Sequence, residues 1–267
     1  MKKYNELLNP YYIRDSLSLE SKLLIPVIQV YNKIDSTNNI LLEKNCIYPN
    51  GHTCLAEKQT MGRGMLNKSW LSVRKNVCFS TAWSFDENMK NFHLLNFLIA
   101  AKIVSSLKNL KYSKIQVKWP NDIIYNDAKL AGILIDVLFK KNSKVYVVVG
   151  VGINIEVDNN DKKTIDQKIT SLSEIPNHKL SRNTIAAALI SAVVESLSIF
   201  KNYDFKKLSE EWNKIDYNYN KNKKLLINGI KTDNAKLLGI NEKGQLRCLQ
   251  NEIVNYYNIN EVKIIND

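Results

Sequence analysis

The stretch "KIQVKWPNDIIYNDAKLAGILIDVLF", residues 114–139, decides the fold. Apolar and polar residues alternate over 115–119, which predicts a strand with one buried face. Pro120-Asn121-Asp122 predicts a turn. The runs "IIY" and "KLAGILIDV" flank Asn126-Asp127, and this dipeptide predicts a β-hairpin between them. Three neighbouring strands of one sheet are therefore expected here.

The segments around this stretch extend the sheet and cover it with helices. "KVYVVVGVGINIEV" (144–157) is almost continuously apolar, which predicts a strand in the centre of the sheet. Further strands are predicted at 26–34, 53–59 and 76–85, and helices at 11–19, 36–45, 91–110, 183–200 and 204–214. Residues 158–182 are polar and are interpreted as a surface loop. The pattern predicts an α/β (α+β) fold, with a mixed β-sheet and packed helices.

The character of the chain changes near residue 218. Short apolar runs joined by turn dipeptides predict a small antiparallel barrel or meander. We therefore expect an N-terminal extension (1–26), a main domain (27–217) and a small C-terminal β domain (218–267).

The composition limits the classes of function. The 267 residues carry a net charge of +12, which suggests an acidic partner but does not choose among nucleic acid, nucleotide, an anionic surface or an acidic protein. Four cysteines without a C-x-x-C motif and three scattered histidines argue against zinc and redox sites. The N-terminus has no signal-like apolar run, and the apolar run within 91–110 is too short to span a bilayer. A cytoplasmic protein without a membrane segment is predicted.

Several common catalytic motifs are missing from the sequence. It contains no G-x-x-x-x-G-K-[ST] phosphate loop and no G-x-S-x-G elbow. "GVG" (150–152) lacks the third glycine of a dinucleotide-binding motif, and it is interpreted as close backbone packing. These absences argue against the usual hydrolase, dehydrogenase and kinase sites.

What remains is a set of polar residues at the ends of predicted elements: Ser36, Thr37, Asn38, Gln59, Arg63, Lys118, Asn121, Asp122, Lys129 and Asn154. Taken singly, most have a structural explanation as a helix cap or a turn. Gly62 and Gly64 around Arg63 fit either a tight turn or an anion-binding loop. Trp70 and Trp119 fit either the core or a pocket wall.

Lys129 is the residue for which a functional interpretation is favoured. It begins an otherwise apolar strand, and burying its charge is costly without an anionic partner. Together the set offers two lysines and an arginine, but no nucleophile paired with a base. This combination indicates charge stabilisation of a phosphate and a carboxylate, without a covalent enzyme intermediate.

At these residues the sequence resembles the biotin–protein ligase family. The matching stretches are "DSTNNILLE" (35–43), "AEKQTMGRG" (56–64) with Trp70, "VKWPNDIIY" (117–125), "KLAGILID" (129–136) and "VVGVGINI" (148–155). "EEWNKID" (210–216) and the C-terminal strands are also similar in order and spacing, so the resemblance runs from about residue 30 to the end. The resemblance implies a catalytic biotin- and ATP-binding domain followed by a Src-homology-type β-barrel. It also implies two steps: biotin and Mg-ATP form biotinyl-adenylate and pyrophosphate, and a lysine of a biotin carrier domain then takes the biotinyl group.

The resemblance also implies roles for the residues. Ser36, Thr37 and Gln59 are expected to hydrogen-bond the biotin head group, and Arg63 and Gly64 to hold the carboxylate and phosphate. Lys129 is expected to offset charge in the transition state, and Lys118 to contact phosphate. The other expected roles are biotin binding (Asn38, Gly62, Met65, Gly132), nucleotide binding (Asn121, Asn154) and Mg²⁺ contact (Asp122). The glycine loop is expected to order over the intermediate.

Two departures from the family pattern shape the remaining expectations. About 30 residues precede the matching stretches, too few for the winged helix of some members, so a ligase without specific DNA binding is predicted. The loop usually reads G-R-G-R-x-G-R-x-W, whereas here Met65, Asn67 and Lys68 replace arginine, glycine and arginine.

The expected partner is the carrier domain of a biotin-dependent carboxylase, and homodimers through sheet edges are common in the family. The alternatives are a lipoate–protein ligase and a nucleic-acid-binding regulator.

Overall fold

The computed structural model describes residues 6–43, 47–65, 68–71, 75–140, 143–163, 167–176 and 180–265. The helices within these ranges are α1 (Pro10–Asp15), α2 (Leu19–Leu24), α3 (Thr37–Leu41), α4 (Phe92–Asn109), α5 (Asn159–Lys163), α6 (Arg182–Ile199) and α7 (Phe205–Ile215). The strands are β1 (Ile28–Tyr31), β2 (Thr53–Ala56), β3 (Val77–Asp86), β4 (Gln116–Lys118), β5 (Asp122–Tyr125), β6 (Ala128–Lys140), β7 (Lys144–Ile153), β8 (Asn222–Ile227), β9 (Ile230–Ile240), β10 (Leu246–Gln250), β11 (Ile253–Tyr257) and β12 (Val262–Ile264).

Seven strands form the main sheet in the order β1-β2-β3-β7-β6-β5-β4. β1 and β2 pair in parallel, and the other neighbours pair antiparallel. The apolar strand β7 lies in the centre, which confirms the prediction from its composition. The predicted hairpin is also confirmed: Asn126 and Asp127 connect β5 to β6 with φ angles of 48° and 63°. Two consecutive positive φ values are typical of the tight turns that match the twist of paired strands.

The two faces of this sheet carry different partners. One face packs against α4 and α6, with Phe79 and Val149 among the residues of this large core. The opposite face carries α3 over a smaller apolar cluster that includes Leu41 and Tyr146. Because side chains alternate along a strand, each strand contributes to both faces. The face under α3 is only partly covered, and it is therefore the face that can hold a ligand.

The N-terminal segment is tied into the core by a buried ion pair. The single helix predicted at 11–19 is instead two helices, α1 and α2, and both contact α6. Arg182 of α6 is 2% exposed, and its Nη1 lies 3.0 Å from Oε2 of Glu57, which is 4% exposed. The same Nη1 donates to the Glu6 carbonyl at 2.9 Å, and Leu8 N donates to Glu57 Oε1 at 2.5 Å. The pair therefore joins three distant parts of the chain.

The prediction of a surface loop over 158–182 is wrong for its middle part. Five of its residues are at most 9% exposed: Ile169, Thr170, Ser171, Leu172 and Ile175. Lys129 N donates to the Lys168 carbonyl and Thr170 N donates to the Lys129 carbonyl, both at 2.9 Å. The segment thus pairs with the start of β6, which its polar composition did not reveal.

The C-terminal strands form a second sheet in the order β11-β10-β9-β8-β12. The sheet is antiparallel and curled into a half-barrel, so the predicted α/β class with a small C-terminal β unit is confirmed. It packs against α4 and α7: Gly244 lies beside Phe97, and Asn213 Oδ1 accepts from Ile240 N at 2.8 Å. Trp212 is buried on the predicted apolar face of α7.

One helix within the described residues is long and apolar enough to cross a membrane. It is the segment Arg182–Asn202, and 67% of its apolar window is buried inside the structure. Buried helices of folded cores are apolar all round in the same way.

Candidate active site

A pocket lies on the face of the main sheet that carries α3. Its wall is formed by the start of α3, by the glycine loop around Arg63, and by β3, β6 and β7. The predicted residues that line it are Ser36, Thr37, Asn38, Gln59, Arg63, Gly64, Met65, Asn121, Lys129 and Gly132. Trp70, Cys78 and Gly152 also line it. Ten of the fourteen predicted site residues are therefore brought together, although they come from four separate stretches of sequence.

One end of the pocket is a network of neutral hydrogen-bonding groups. Thr37 N and Oγ1 donate to Gln59 Oε1 at 2.8 and 3.1 Å. Ser80 Oγ lies 2.7 Å from Thr37 Oγ1 and 2.5 Å from Asn38 Oδ1. Ser36 begins α3, but its side chain makes no capping hydrogen bond. The interpretation of Ser36 as only a helix cap is therefore not supported, and this end is suited to a polar, uncharged ligand group.

Two charged side chains, Arg63 and Asp136, border this network. Arg63 Nη1 and Nη2 donate to Asp136 Oδ2 and Oδ1 at 3.1 and 3.2 Å, and Nη1 also donates to Asn39 Oδ1 at 3.3 Å. Asn38 Nδ2 donates to the same Asp136 Oδ2 at 2.8 Å. The Arg63 side chain is 40% exposed and Asp136 is 20% exposed, so solvent still reaches this pair.

Lys129 reaches the pocket because of a β-bulge. β6 pairs with β5 through Ile124↔Lys129 and then Ile123↔Ala131, so Leu130 is an extra residue. Strict alternation would put Lys129 and Gly132 on opposite faces, whereas the bulge brings the Lys129 Nζ to 3.5 Å from an ideal Cβ at Gly132. Bulges commonly redirect a side chain in this way beside active sites.

The partners of Lys129 are an acid and an aromatic ring. Its Nζ lies 2.8 Å from Asp122 Oδ1, and 5.6 Å from the centre of the Trp70 ring. The anionic partner required for a partly buried lysine is therefore present. Lys129 is 18% exposed, so its ammonium group remains close to the pocket surface.

The glycine loop folds back on itself. Gly64 N donates to the Lys68 carbonyl at 2.7 Å, Trp70 N donates to the Gly62 carbonyl at 2.9 Å, and Arg63 pairs with Ser69. A Cβ on Gly62 would lie 2.5 Å from the Trp70 carbonyl oxygen. Gly62 therefore allows the loop to close on itself, and it does not line the pocket.

The "GVG" run lets two side chains lie flat on β7. A Cβ on Gly150 would lie 2.1 Å from Asn38 Oδ1, and one on Gly152 would lie 2.4 Å from Cε2 of the Trp70 indole. The interpretation of this run as close packing is confirmed. The absent side chains leave the space in which Trp70 and Asn38 reach the pocket.

Four of the predicted site residues do not line the pocket: Gly62, Lys118, Asp122 and Asn154. Lys118 is half-buried opposite Asp122 in the β4–β5 pair. Burial lowers the pKa of Lys118, Asp122 opposes this effect, and Lys223 and Lys129 add to it. Asn154 is buried, and its amide contacts Asn76 Nδ2 at 3.1 Å and the Thr170 carbonyl at 3.0 Å. These contacts make Asn154 a link between β7 and the 167–176 segment.

The expected Mg²⁺ contact is not supported by the side chains present. Asp122 is engaged by Lys129, and the described residues contain no group of three or more His, Cys, Asp or Glu side chains that could hold a metal ion. Asn121 donates from Nδ2 to the Ile133 carbonyl at 2.9 Å, which fixes its amide at the pocket edge.

Two residues of the network were missed by the sequence analysis. Ser80 lies on the pocket face of β3, and Asp136 on the pocket face of β6. A signal was present for Asp136, since a carboxylate inside an apolar strand needs a partner, as the neighbouring Lys129 does.

The mixed sheet, the curled C-terminal sheet and the pocket under α3 define an α/β protein with a site for a small polar or charged ligand. The model of the biotin/lipoate A/B protein ligase family matches residues 30–154. The chain is 32% identical over 250 residues to the bifunctional ligase/repressor BirA of Escherichia coli (strain K12), covering 93% of this chain and 75% of the relative. It is 27% identical over 183 residues to biotin–protein ligase 2 of Arabidopsis thaliana, covering 66% and 54%.

Solved structures agree with these relatives. The biotin protein ligase from Aquifex aeolicus in complex with biotin and ATP matches with a TM-score of 0.76 and 26% identity, covering 91% of this chain and 100% of that one. The Leishmania major enzyme in complex with biotinyl-5-AMP matches with a TM-score of 0.55 and 19% identity, covering 87% and 99%, and shows the fold alone. The chain belongs to the biotin protein ligase family, as the sequence resemblance predicted.

Proposed function

We propose that this protein is an ATP-dependent biotin–protein ligase that forms biotinyl-adenylate and transfers the biotinyl group to a lysine of a carrier domain. The observation that carries this proposal is the arrangement of the pocket. Thr37 and Gln59 provide neutral hydrogen-bonding groups, and Arg63 and Lys129 provide positive charge in the lining of the same pocket. A ligand with a polar head and a carboxylate tail, as biotin has, fits such a lining.

In the first step a biotin carboxylate oxygen attacks the α-phosphorus of ATP. A phosphorus–oxygen bond forms, the α–β phosphoanhydride bond breaks, and pyrophosphate leaves. Lys129 faces the junction and stabilises charge that grows in the transition state, while Arg63 holds the carboxylate and phosphate. The described lining contains no histidine beside a serine, threonine or cysteine, which supports direct attack by the substrate.

In the second step the carrier lysine, as a neutral amine, attacks the acyl carbon of the adenylate. An amide bond forms, AMP leaves with the electron pair of the broken carbon–oxygen bond, and the amine loses its proton. The glycine loop is proposed to order over the intermediate and keep water away from it. Gly64, Met65 and Gly132 line the pocket at this side.

The nucleotide is proposed to extend from Lys129 towards Asn121 and Lys118. A lysine whose pKa is lowered by burial and by neighbouring lysines is stabilised in its charged form by the negative charge of a bound phosphate. Asn154 supports this region through its buried contacts. Mg²⁺ is expected to enter bound to the ATP phosphates. Proteins usually hold this ion with only one or two carboxylates, and phosphates and water supply the other ligands.

The carrier domain of a biotin-dependent carboxylase is the proposed protein partner, in the cytoplasm. The net charge of +12 favours an acidic surface on that partner. A homodimer through sheet edges is proposed by analogy with the family. Specific DNA binding is not part of the proposal.

Biotin-dependent ATP–pyrophosphate exchange tests the first step. We expect exchange with biotin and none with lipoate, followed by labelling of an added carrier domain. Raising the salt concentration should slow the labelling and leave the exchange nearly unchanged, because steering between charged surfaces is screened. Exchange driven by lipoate, or absent with both acids, would contradict the proposal.

A further inference from the structure

We propose that Asp136 is a positioning residue for the ligation reaction, which orients Arg63 and Asn38 towards the bound acid. This inference rests on the proposed function, in which Arg63 holds the biotin carboxylate and phosphate. Asp136 itself does not line the pocket, so it acts through its two partners and not on the substrate.

The contacts of Asp136 fix both partners at once. Its two oxygens accept from the two Nη atoms of Arg63 at 3.1 and 3.2 Å, which is a bidentate arrangement with a defined plane. One of these oxygens also accepts from Asn38 Nδ2 at 2.8 Å. Asn38 Oδ1 in turn lies 2.5 Å from Ser80 Oγ, within the neutral network of the pocket. A single carboxylate therefore connects Arg63 to this network.

The position of Asp136 on β6 places it behind the arginine. Leu134, two residues before it on the same face of the strand, lines the pocket together with Arg63. The contacts to Asp136 and Asn39 use three of the five N–H groups of Arg63. The guanidinium is thus held by a carboxylate that does not itself line the pocket, and two of its N–H groups remain for a ligand.

Stability does not explain this arrangement well. The pair is part-exposed, at 40% and 20% for the two side chains, and exposed ion pairs contribute little to folding. Holding a donor in its reactive geometry has a larger effect, because a misplacement of about 1 Å can cost roughly a hundredfold in rate. The geometry of Asp136 therefore favours a role in the reaction over a role in the fold.

Four proteins test the proposal in the biotin-dependent exchange assay: wild type, Asp136→Asn, Arg63→Gln and the double variant. In Asp136→Asn a single amide oxygen replaces the two carboxylate oxygens that accept from Arg63 Nη1, Arg63 Nη2 and Asn38 Nδ2. We expect kcat/KM for biotin to fall by about tenfold or more in Asp136→Asn, with a melting temperature close to that of wild type. Because part of the effect of Asp136 passes through Arg63, the double variant should lose clearly less than the product of the two single losses. Asp136→Glu should recover part of the loss.

The control is Glu156→Gln, which removes one carboxylate of the part-exposed Lys75–Glu156 pair outside the pocket. It should leave kcat/KM unchanged. Losses that multiply in the double variant would overturn the proposal, as would activity that is unchanged or increased in Asp136→Asn. An increase would show that Asp136 competes with the ligand for Arg63. If wild type itself shows no exchange with biotin, the proposed function fails, and this outcome is distinct from a failure of Asp136 alone.

Discussion

Two arginine–carboxylate pairs, Arg182 with Glu57 and Arg63 with Asp136, lie in opposite surroundings. The first is almost completely buried and joins the N-terminal segment to α6 and β2. The second is open to solvent at the edge of the pocket. Breaking a buried pair leaves one charge without water or partner, whereas water replaces the partner of an exposed one. The same chemistry therefore stabilises the fold in one region and, under the proposed function, holds a ligand-binding group in the other.

The largest effect is expected from breaking the buried pair. Arg182→Met leaves Glu57 buried and unpaired, and should lower the free energy of unfolding by about 3–5 kcal/mol. The measurement is urea denaturation of the variant and wild type. Lys75→Met, which breaks the part-exposed pair with Glu156, should cost less than about 1 kcal/mol. Similar losses in the two variants would remove the basis of the comparison.

The second prediction concerns a charge in the pocket. Lys129→Ala should slow adenylate formation by roughly a hundredfold, about 3 kcal/mol of transition-state stabilisation, because one fixed positive charge is lost. Pyrophosphate exchange measures this rate, and thermal unfolding should show a much smaller change. Lys162→Ala, which breaks the part-exposed pair with Glu174, is the control and should keep the wild-type rate. A folded Lys129→Ala protein with near-normal exchange would exclude the proposed role.

Asp216 is a buried carboxylate whose pH dependence can sharpen the comparison. Burial is the main cause that raises its pKa to about 6, while contacts including the Asn218 backbone N–H oppose the rise. Because the folded state holds the proton more tightly than the unfolded state, wild-type stability should fall as pH rises from about 4 to about 6, and then level off. Asp216→Asn lacks this dependence.

Relative to wild type, Asp216→Asn should therefore gain about 2–3 kcal/mol in unfolding free energy as the pH rises from about 4 to about 6. Denaturation at a series of pH values measures it. A difference that is independent of pH would mean that Asp216 titrates equally in both states.

The smallest effect is expected at Met65, which lines the pocket where the family usually has arginine. Methionine offers no charged hydrogen bond to the adenylate, so Met65→Arg should retain the intermediate several-fold better. Incubation with biotin, ATP and an unrelated lysine-rich protein measures the leak as non-specific labelling, at matched rates of adenylate formation. Equal labelling would indicate that another cation, such as Lys68, supplies the charge; Arg74, the other candidate, lies outside the described residues.

Local patterns in the sequence predicted local structure well. The Asn126-Asp127 turn, the central position of β7 and the apolar face of α7 each depend on neighbouring residues, and each is confirmed. The position of Lys129 was different. Its place in an apolar strand correctly indicated that it needs an acid, but the bulge at Leu130 that turns it to the pocket depends on pairing with β5 and with residues 168–170.

Contacts between distant parts of the chain could not be predicted in this way. Neither the Arg182–Glu57 pair nor the Arg63–Asp136 pair follows from the spacing of residues in the sequence, because the two residues of a pair lie on different elements. The family resemblance named Arg63 but not the carboxylate behind it. The buried 167–176 segment was missed for the same reason, since its polar groups are satisfied by partners on β6 and β7.

The attachment of the N-terminal segment has a consequence for the order of events during synthesis. Glu6 and Arg182 are separated by 176 positions in the chain, and α1 and α2 both pack against α6. At about 5–20 residues per second, α6 leaves the ribosome roughly 10 to 35 seconds after residues 6–25. During that interval α1 and α2 lack the helix against which they pack, so residues 6–25 are synthesised long before they can dock.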